Sequence, residues 1–135
     1  MHTEVHKSFR LVFRDITSPT NMRTVIAAIV PPHTFHAYSL SSIVLLHDGV
    51  IELGDSYNKK ISYLCGVLNS LTFDFMARTI VQLHLATVIK SLPMPNPVYE
   101  SKISKLAARL IVGDPEFEGF AESIGVDNLK LTPAQ

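Results

Sequence analysis

The side chains best suited to binding chemistry lie around one predicted hairpin near the N-terminus. Three arginines share this region with short polar residues, and the set comprises Arg10, Arg14, Asp15, Thr17, Ser18, Thr20, Asn21, Arg23 and Thr24. Arginine forks match phosphate oxygens or the edge of guanine, and asparagine matches the edge of adenine. The cluster therefore indicates a candidate nucleic-acid contact at Arg14, Ser18, Thr20, Asn21 and Arg23. The alternative is a local Arg14–Asp15 pair, with the other polar groups capping a turn.

Two imidazoles stand three residues apart, at His33 and His36, after the Pro31-Pro32 pair. Zinc sites use such pairs but need a third and usually a fourth ligand. The only cysteine, Cys65, falls within a predicted apolar helix and is a poor partner for them. We therefore predict no metal site, and retain both histidines as candidate DNA contacts in a polar loop.

The segment from Asn96 to Tyr99 reads Asn-Pro-Val-Tyr and resembles the Asn-Pro-Pro-Tyr motif of amino-group DNA methyltransferases. In that motif a rigid loop after a buried strand presents oxygens to a flipped base. Here Leu-Pro-Met-Pro precedes it, and the chain contains no glycine-rich loop for a methyl donor. Asparagine followed by proline is also a standard helix start, and this second interpretation explains the same residues.

No other motif predicts catalysis. A nucleophilic Cys65 would need an exposed thiolate beside a base, whereas its apolar setting favours a core thiol. The chain has no GxSxG, Walker A or HExxH sequence, and Glu116 and Glu118 are expected to be solvated. We predict that this chain alone is not an enzyme, has no catalytic residue and binds no cofactor.

Length and composition limit the remaining possibilities. At 135 residues, with 47% hydrophobic and 18% charged residues, the chain is expected to form a single domain, 1–135. Its formal charge is zero, but residues 1–109 carry 11 basic and 7 acidic side chains, and the acidic surplus lies in 110–135. A free-standing nucleic-acid binder that relies on bulk charge is therefore not expected. No apolar run is long enough to span a membrane, and we expect a cytoplasmic protein.

The elements that must position the arginines are predicted from periodicity. Alternation over 9–14 and a continuous apolar run over 24–30 predict two strands, joined by the Ser-Pro-Thr-Asn turn into a hairpin. Alternation returns in a third strand from Tyr38 to about Leu46. One helix is predicted over 58–78, capped by Asn58, with Ile61, Leu64, Cys65, Leu68, Thr72 and Phe75 at helical spacing. It is apolar around most of its girth, and its only polar stripe comprises Tyr63, Ser70, Asp74 and Arg78, with Asp74 and Arg78 an i,i+4 pair.

The remaining segments complete the predicted fold. Residues 80–95 are ambiguous, with a possible strand over 80–85. Helices are expected over 97–112 and 115–124, started by Asn96 and by an Asp-Pro-Glu sequence. The fold class is α/β, of the α+β type, with a small mainly antiparallel sheet packed on the buried central helix. Residues 125–135 are a predicted tail.

A longer pattern runs through these elements. Residues 13–31 read FRDITSPTNMRTVIAAIVP and resemble the C-terminal target-recognition region of large adenine-specific DNA methyltransferases, including fused type II restriction–modification enzymes and phage-defence relatives. The signature matches at Thr20, Asn21, Arg23 and Thr24, while Met22 replaces the usual glutamate. The likeness continues, in the order of the family, through 63–70, Asp74, Arg78, His84-Leu85, 92–95, 107–110 and 115–117. Ala86 replaces the asparagine that commonly follows His-Leu.

The resemblance implies a fragment of a larger enzyme. It would be a domain that positions and reads double-stranded DNA for a methyltransferase domain, and that missing domain would bind S-adenosylmethionine. If the loop within residues 13–31 does not itself read bases, less stereotyped loops, such as 32–38 or 47–57, would read them instead. The alternative function is a scaffold or protein-interaction module within the same enzyme, without base readout.

Overall fold

The computed structural model describes residues 5–111 and 113–126. From residue 127 onwards, the predicted tail lies outside the described residues. Small antiparallel sheets and helices in the described ranges confirm the predicted α+β fold. No helix in these ranges is long and apolar enough to cross a membrane.

The main sheet has three strands in the order β2-β1-β3, all antiparallel. Its strands are β1 (Arg10–Arg14), β2 (Ala27–Val30) and β3 (Leu40–Ile43). The predicted β1–β2 hairpin is confirmed, and β3 pairs with the other edge of β1. The third strand ends earlier than predicted, because the chain then forms a separate hairpin from β4 (Leu46–His47) and β5 (Val50–Ile51).

The single helix predicted over 58–78 is wrong in one respect, since it consists of two helices. They are α1 (Asp55–Leu68) and α2 (Leu71–Ile80). Ser70 is extended and caps α2, with its hydroxyl accepting from the N–H of Phe73. Asn58 caps nothing, because α1 has already begun three residues earlier, and its side-chain amide donates to the Ser123 hydroxyl. Because of this break, the side of α2 that faces the core is the one that carries Phe73, and Phe75 is exposed.

Two of the remaining helices, α4 (Glu100–Ile111) and α5 (Glu118–Ile124), start close to the predicted positions, and short 3-10 turns lead into both. The third, α3 (Leu85–Ser91), lies in the segment that the sequence left ambiguous. Asn96 accepts from the N–H of Val98, which confirms it as a helix-start cap. The possible strand over 80–85 reduces to one bridge between Ile16 and His84.

The core lies around α1, which packs against the main sheet, α4 and α5. Fully buried side chains come from all of these layers, including Leu11, Tyr57, Ile61, Leu68 and Phe120. Removing these apolar groups from water is the main stabilising effect of the fold. The sheet is thereby fixed relative to α1 and, through the short 69–70 connection, to α2.

A close approach of α1 to α4 yields the first testable prediction. A Cβ atom added at Gly66 would lie 2.9 Å from Cγ2 of Ile103 and 3.3 Å from Cβ of Ala107. We expect Gly66→Ala to lower the free energy of unfolding by about 1–3 kcal/mol, measured by urea denaturation, because the helices must separate.

The matched control is Gly119→Ala on α5, where the added Cβ meets no heavy atom of the described chain within 4 Å. Alanine favours helix over glycine, so we expect this variant to gain up to about 1 kcal/mol. Equal stability changes for the two variants would contradict the close α1–α4 contact.

Candidate nucleic-acid interface

The loop that carries the predicted polar cluster, residues 17–24, leaves the end of β1 and closes on itself. The hydroxyl of Thr17 donates to the carbonyl of Thr24 across 2.7 Å, in a buried position. At the tip the hydroxyls of Ser18 and Thr20 lie 2.8 Å apart, and the N–H of Asn21 donates to the carbonyl of Ser18. These bonds hold the 17–24 loop in one compact conformation.

Arg14 braces the loop from inside. Its Nη2 donates to the carbonyl of Arg23 at 2.6 Å and to the hydroxyl of Thr17 at 3.2 Å. With its side-chain oxygen turned towards Arg14, Asn21 accepts from Nη2 at 3.3 Å and from the N–H of Ser18 at 3.2 Å. The sequence alternative of an Arg14–Asp15 pair does not match this arrangement.

Asp15 turns away from the loop instead. One carboxylate oxygen accepts from the N–H of Ala86 at 2.8 Å, and the other lies 3.0 Å from Nδ1 of His84. Burial opposes ionisation of this carboxylate, but the hydrogen bonds from Ala86 and His84 outweigh it and lower its pKa below 3.8. Asp15 thus caps α3 from a distant part of the chain.

Asp74 on α2 binds the other side of the 17–24 loop through hydrogen bonds and ion pairs. One of its oxygens accepts from the backbone N–H groups of Thr24 and Val25 at 2.9 and 2.8 Å. The same oxygen lies 3.4 Å from Nε of Arg23, and the other lies 3.1 Å from Nη2 of Arg78. Asp74 is buried, so the expected pairing with Arg78 is present but is not a surface pair.

The electrostatics of Asp74 follow from these contacts. Burial by itself would raise its pKa. The N–H of Val25, the guanidinium of Arg78, the charge of Arg23 and the N–H of Thr24 together outweigh that effect and lower the pKa below 3.8. Asp74 is therefore a carboxylate at neutral pH.

The guanidinium of Arg78 extends along the outside of the 17–24 loop. It donates to the carbonyls of Pro19 and Met22 at 3.2 and 3.0 Å, while Nη2 of Arg23 donates to the carbonyl of Asn69 at 2.8 Å. Two guanidiniums, those of Arg23 and Arg78, thus contact the single carboxylate of Asp74, and a third, that of Arg14, lies on the inner side of the loop. The cluster keeps a surplus of two positive charges.

The predicted candidates take different positions in this arrangement. Thr20 is exposed and Ser18 and Asn21 are half-buried at the loop tip, whereas Arg14 and Arg23 brace the loop. About a third of each of the Arg23 and Arg78 side chains remains exposed.

Two further cations, Arg10 on β1 and Lys60 on α1, are engaged outside the 17–24 loop. Arg10 is buried and donates to the carbonyl of Thr34. Lys60 forms an ion pair with Glu52 at 2.7 Å. Neither Arg10 nor Lys60 therefore adds to the two surplus positive charges at the 17–24 loop.

His33 and His36 belong to a second loop, residues 31–39, which connects β2 to β3. His33 adopts a left-handed backbone conformation (φ 61°), and its N–H donates to the carbonyl of His6. Nε2 of His36 lies 2.8 Å from the hydroxyl of Ser42. Within residues 5–111 and 113–126, no group of three or more His, Cys, Asp or Glu side chains is placed to hold a metal ion.

Two further positioning residues were not identified as such from the sequence. The side-chain amide of Asn69 donates to the carbonyl of Ala27 at 2.8 Å and accepts from its N–H at 3.2 Å, so it pairs with the edge of β2. Asp74 binds the loop backbone. The signal available for Asp74 was an ionisable residue flanked by Phe73, Phe75 and Met76, because a charge buried among apolar groups requires partners.

Cys65 has the environment of a core thiol. It is buried beside β2, and desolvation, which outweighs the opposing hydrogen bond from the Asn69 amide, raises its pKa to about 11. The thiol is therefore protonated at neutral pH and a weak nucleophile.

Comparison with family models, with curated proteins and with solved structures finds no match to this chain. The resemblance to the methyltransferase target-recognition region stays a prediction.

Proposed function

We propose that this chain is the DNA target-recognition module of an adenine-specific DNA methyltransferase, with the 17–24 loop at its DNA-facing edge. The observation that carries the proposal is the rigid, closed loop with two surplus positive charges. It is formed by the same residues that carry the sequence resemblance. In this proposal the methyltransferase domain of the parent enzyme binds S-adenosylmethionine and performs the chemistry.

The distribution of acidic residues supports a polyanionic partner. No aspartate or glutamate occurs between residues 16 and 47, a segment that contains Arg23 and the histidines at 33, 36 and 47. Both the 17–24 loop and the 31–39 loop lie within it. Phosphate contacts fix the register of a protein on duplex DNA, and here Arg23 and Arg78 would supply them while Thr20 and Asn21 face the groove.

The test measures binding of the 135-residue chain to a labelled 20-base-pair duplex by anisotropy, between 50 and 200 mM salt. We expect Arg23→Gln to weaken binding to all sequences and to reduce the salt slope by about one counterion. Thr20→Ala should weaken binding without changing the slope. The matched controls are Arg109→Gln and Ser101→Ala, which change exposed residues of α4.

A second candidate function is a scaffold module within the same enzyme. It is favoured by the fact that Arg14, Arg23 and Arg78 direct hydrogen bonds to backbone carbonyls. On this interpretation, Arg23→Gln lowers thermal stability but leaves DNA affinity and the salt slope unchanged. That result, or no binding of duplex by the unmodified chain, would reject the DNA-recognition proposal.

A further inference from the structure

The 31–39 loop, which we name the aromatic loop, exposes two large rings that the fold does not use. Phe35 is 86% exposed and Tyr38 is 91% exposed. Both lie in the segment between residues 16 and 47, which contains no aspartate or glutamate, and they alternate along the chain with His33 and His36. Isolated exposed apolar residues are common. Two aromatic rings that are both almost fully exposed in one short loop are a candidate binding surface.

The backbone of the aromatic loop is held in place at several points. Pro31 and Pro32 restrict its start, the buried Arg10 donates to the carbonyl of Thr34, and the carbonyl of Ser39 accepts from the N–H of Asp15 at 3.1 Å. The rings are therefore presented from a preorganised loop, which reduces the entropy lost when a ligand binds.

The surrounding charge favours a nucleic-acid base over a basic protein surface. The carboxylate of Asp15, whose backbone lies beside Ser39, points away to His84 and to the N–H of Ala86. The positive surplus lies on the 17–24 loop, which leaves the same end of β1 that Ser39 reaches. Aromatic side chains beside a positively charged groove are the usual means of holding unpaired bases by stacking.

We propose that Phe35 and Tyr38 form a stacking platform for unpaired DNA bases beside the duplex-contacting loop. The inference rests on the proposed function, because the 17–24 loop must bring the DNA to the platform. Bases that remain paired inside a duplex present only their edges, so the platform acts on bases that leave the stack.

The test compares two 20-base-pair probes, one fully paired and one with a two-adenine bulge. Phe35→Ala and Tyr38→Ala are each expected to weaken binding of the bulged duplex roughly 5- to 100-fold. Binding of the paired duplex should change less than twofold. Both side chains are exposed, so both variants should retain the thermal midpoint of the unmodified chain.

Tryptophan fluorescence can report stacking directly. The chain contains no tryptophan, so a single introduced tryptophan is the only one that contributes to the signal. Phe35→Trp is expected to lose fluorescence when the bulged duplex is added, and Val98→Trp, at an exposed position before α4, serves as the control. Equal quenching of both tryptophans would overturn the inference.

Other outcomes separate this inference from the proposed function. If Arg23→Gln weakens binding but the aromatic variants bind both probes normally, the stacking platform is wrong and the DNA-recognition function stands. Equal losses for both probes would make the rings general DNA contacts and would also overturn the platform. If the unmodified chain binds neither probe, both proposals fail.

Discussion

Asp74→Ala is expected to lower the free energy of unfolding by about 3–5 kcal/mol, because it leaves buried partners without their carboxylate. The backbone N–H groups of Thr24 and Val25 lose their acceptor, and Arg23 and Arg78 lose their counter-charge. Urea denaturation followed by circular dichroism measures the loss. The control is Asp48→Asn in the exposed β4–β5 turn, which we expect to change stability by less than about 0.5 kcal/mol.

The same carboxylate should make stability depend on pH. Its pKa in the folded chain lies below the ordinary value of 3.8, so its stabilising contribution is complete above the unfolded pKa. The contribution is lost as the pH falls through the folded value. Asp74→Asn, which cannot ionise, should be less stable than the unmodified chain at pH 7 and should approach it in acid. Parallel stability curves for the two proteins would contradict this role of Asp74.

Phe73→Ala is expected to cost about 3–5 kcal/mol, whereas Phe75→Ala on the same helix should cost less than about 0.5 kcal/mol. The two residues have the same chemistry and are two positions apart, but Phe73 is 1% exposed and Phe75 is 69% exposed. Thermal or urea unfolding of the two variants measures the difference.

This pair also tests the break between α1 and α2. A continuous helix over 58–78 would place Phe75 on the same apolar face as Ile61 and Leu68, and Phe75→Ala would then be the costly change. Similar losses for the two variants, or a larger loss at Phe75, would contradict the two-helix arrangement.

Local sequence signals determined several elements of the fold. Alternation over 9–14, the turn residues after it and the apolar run that follows predicted the β1–β2 hairpin. Asparagine or aspartate followed by proline marked the starts of the last two helices, where Asn96 and Asp114 accept from nearby N–H groups. Each of these signals depends on residues close together in the chain, so a single sequence is sufficient to detect it.

The tertiary structure alone decided how the candidate residues are used, and with the local Ser70 cap it fixed where the central helix breaks. Asn69 meets the edge of β2 across 42 positions of sequence, and Asp74 meets the backbone of Thr24 across 50. Periodicity contains no information about such partners, so it extended one helix through the break and placed Asp74 on a polar stripe with Arg78 as its partner. The sequence by itself determined that arginines, hydroxyls and an amide share one loop. Only the folded contacts, within the loop for Arg14 and with Asn69 and Asp74 for Arg23, decided that both arginines brace this loop. The physical reason is that buried N–H and carbonyl groups require partners wherever the fold supplies them.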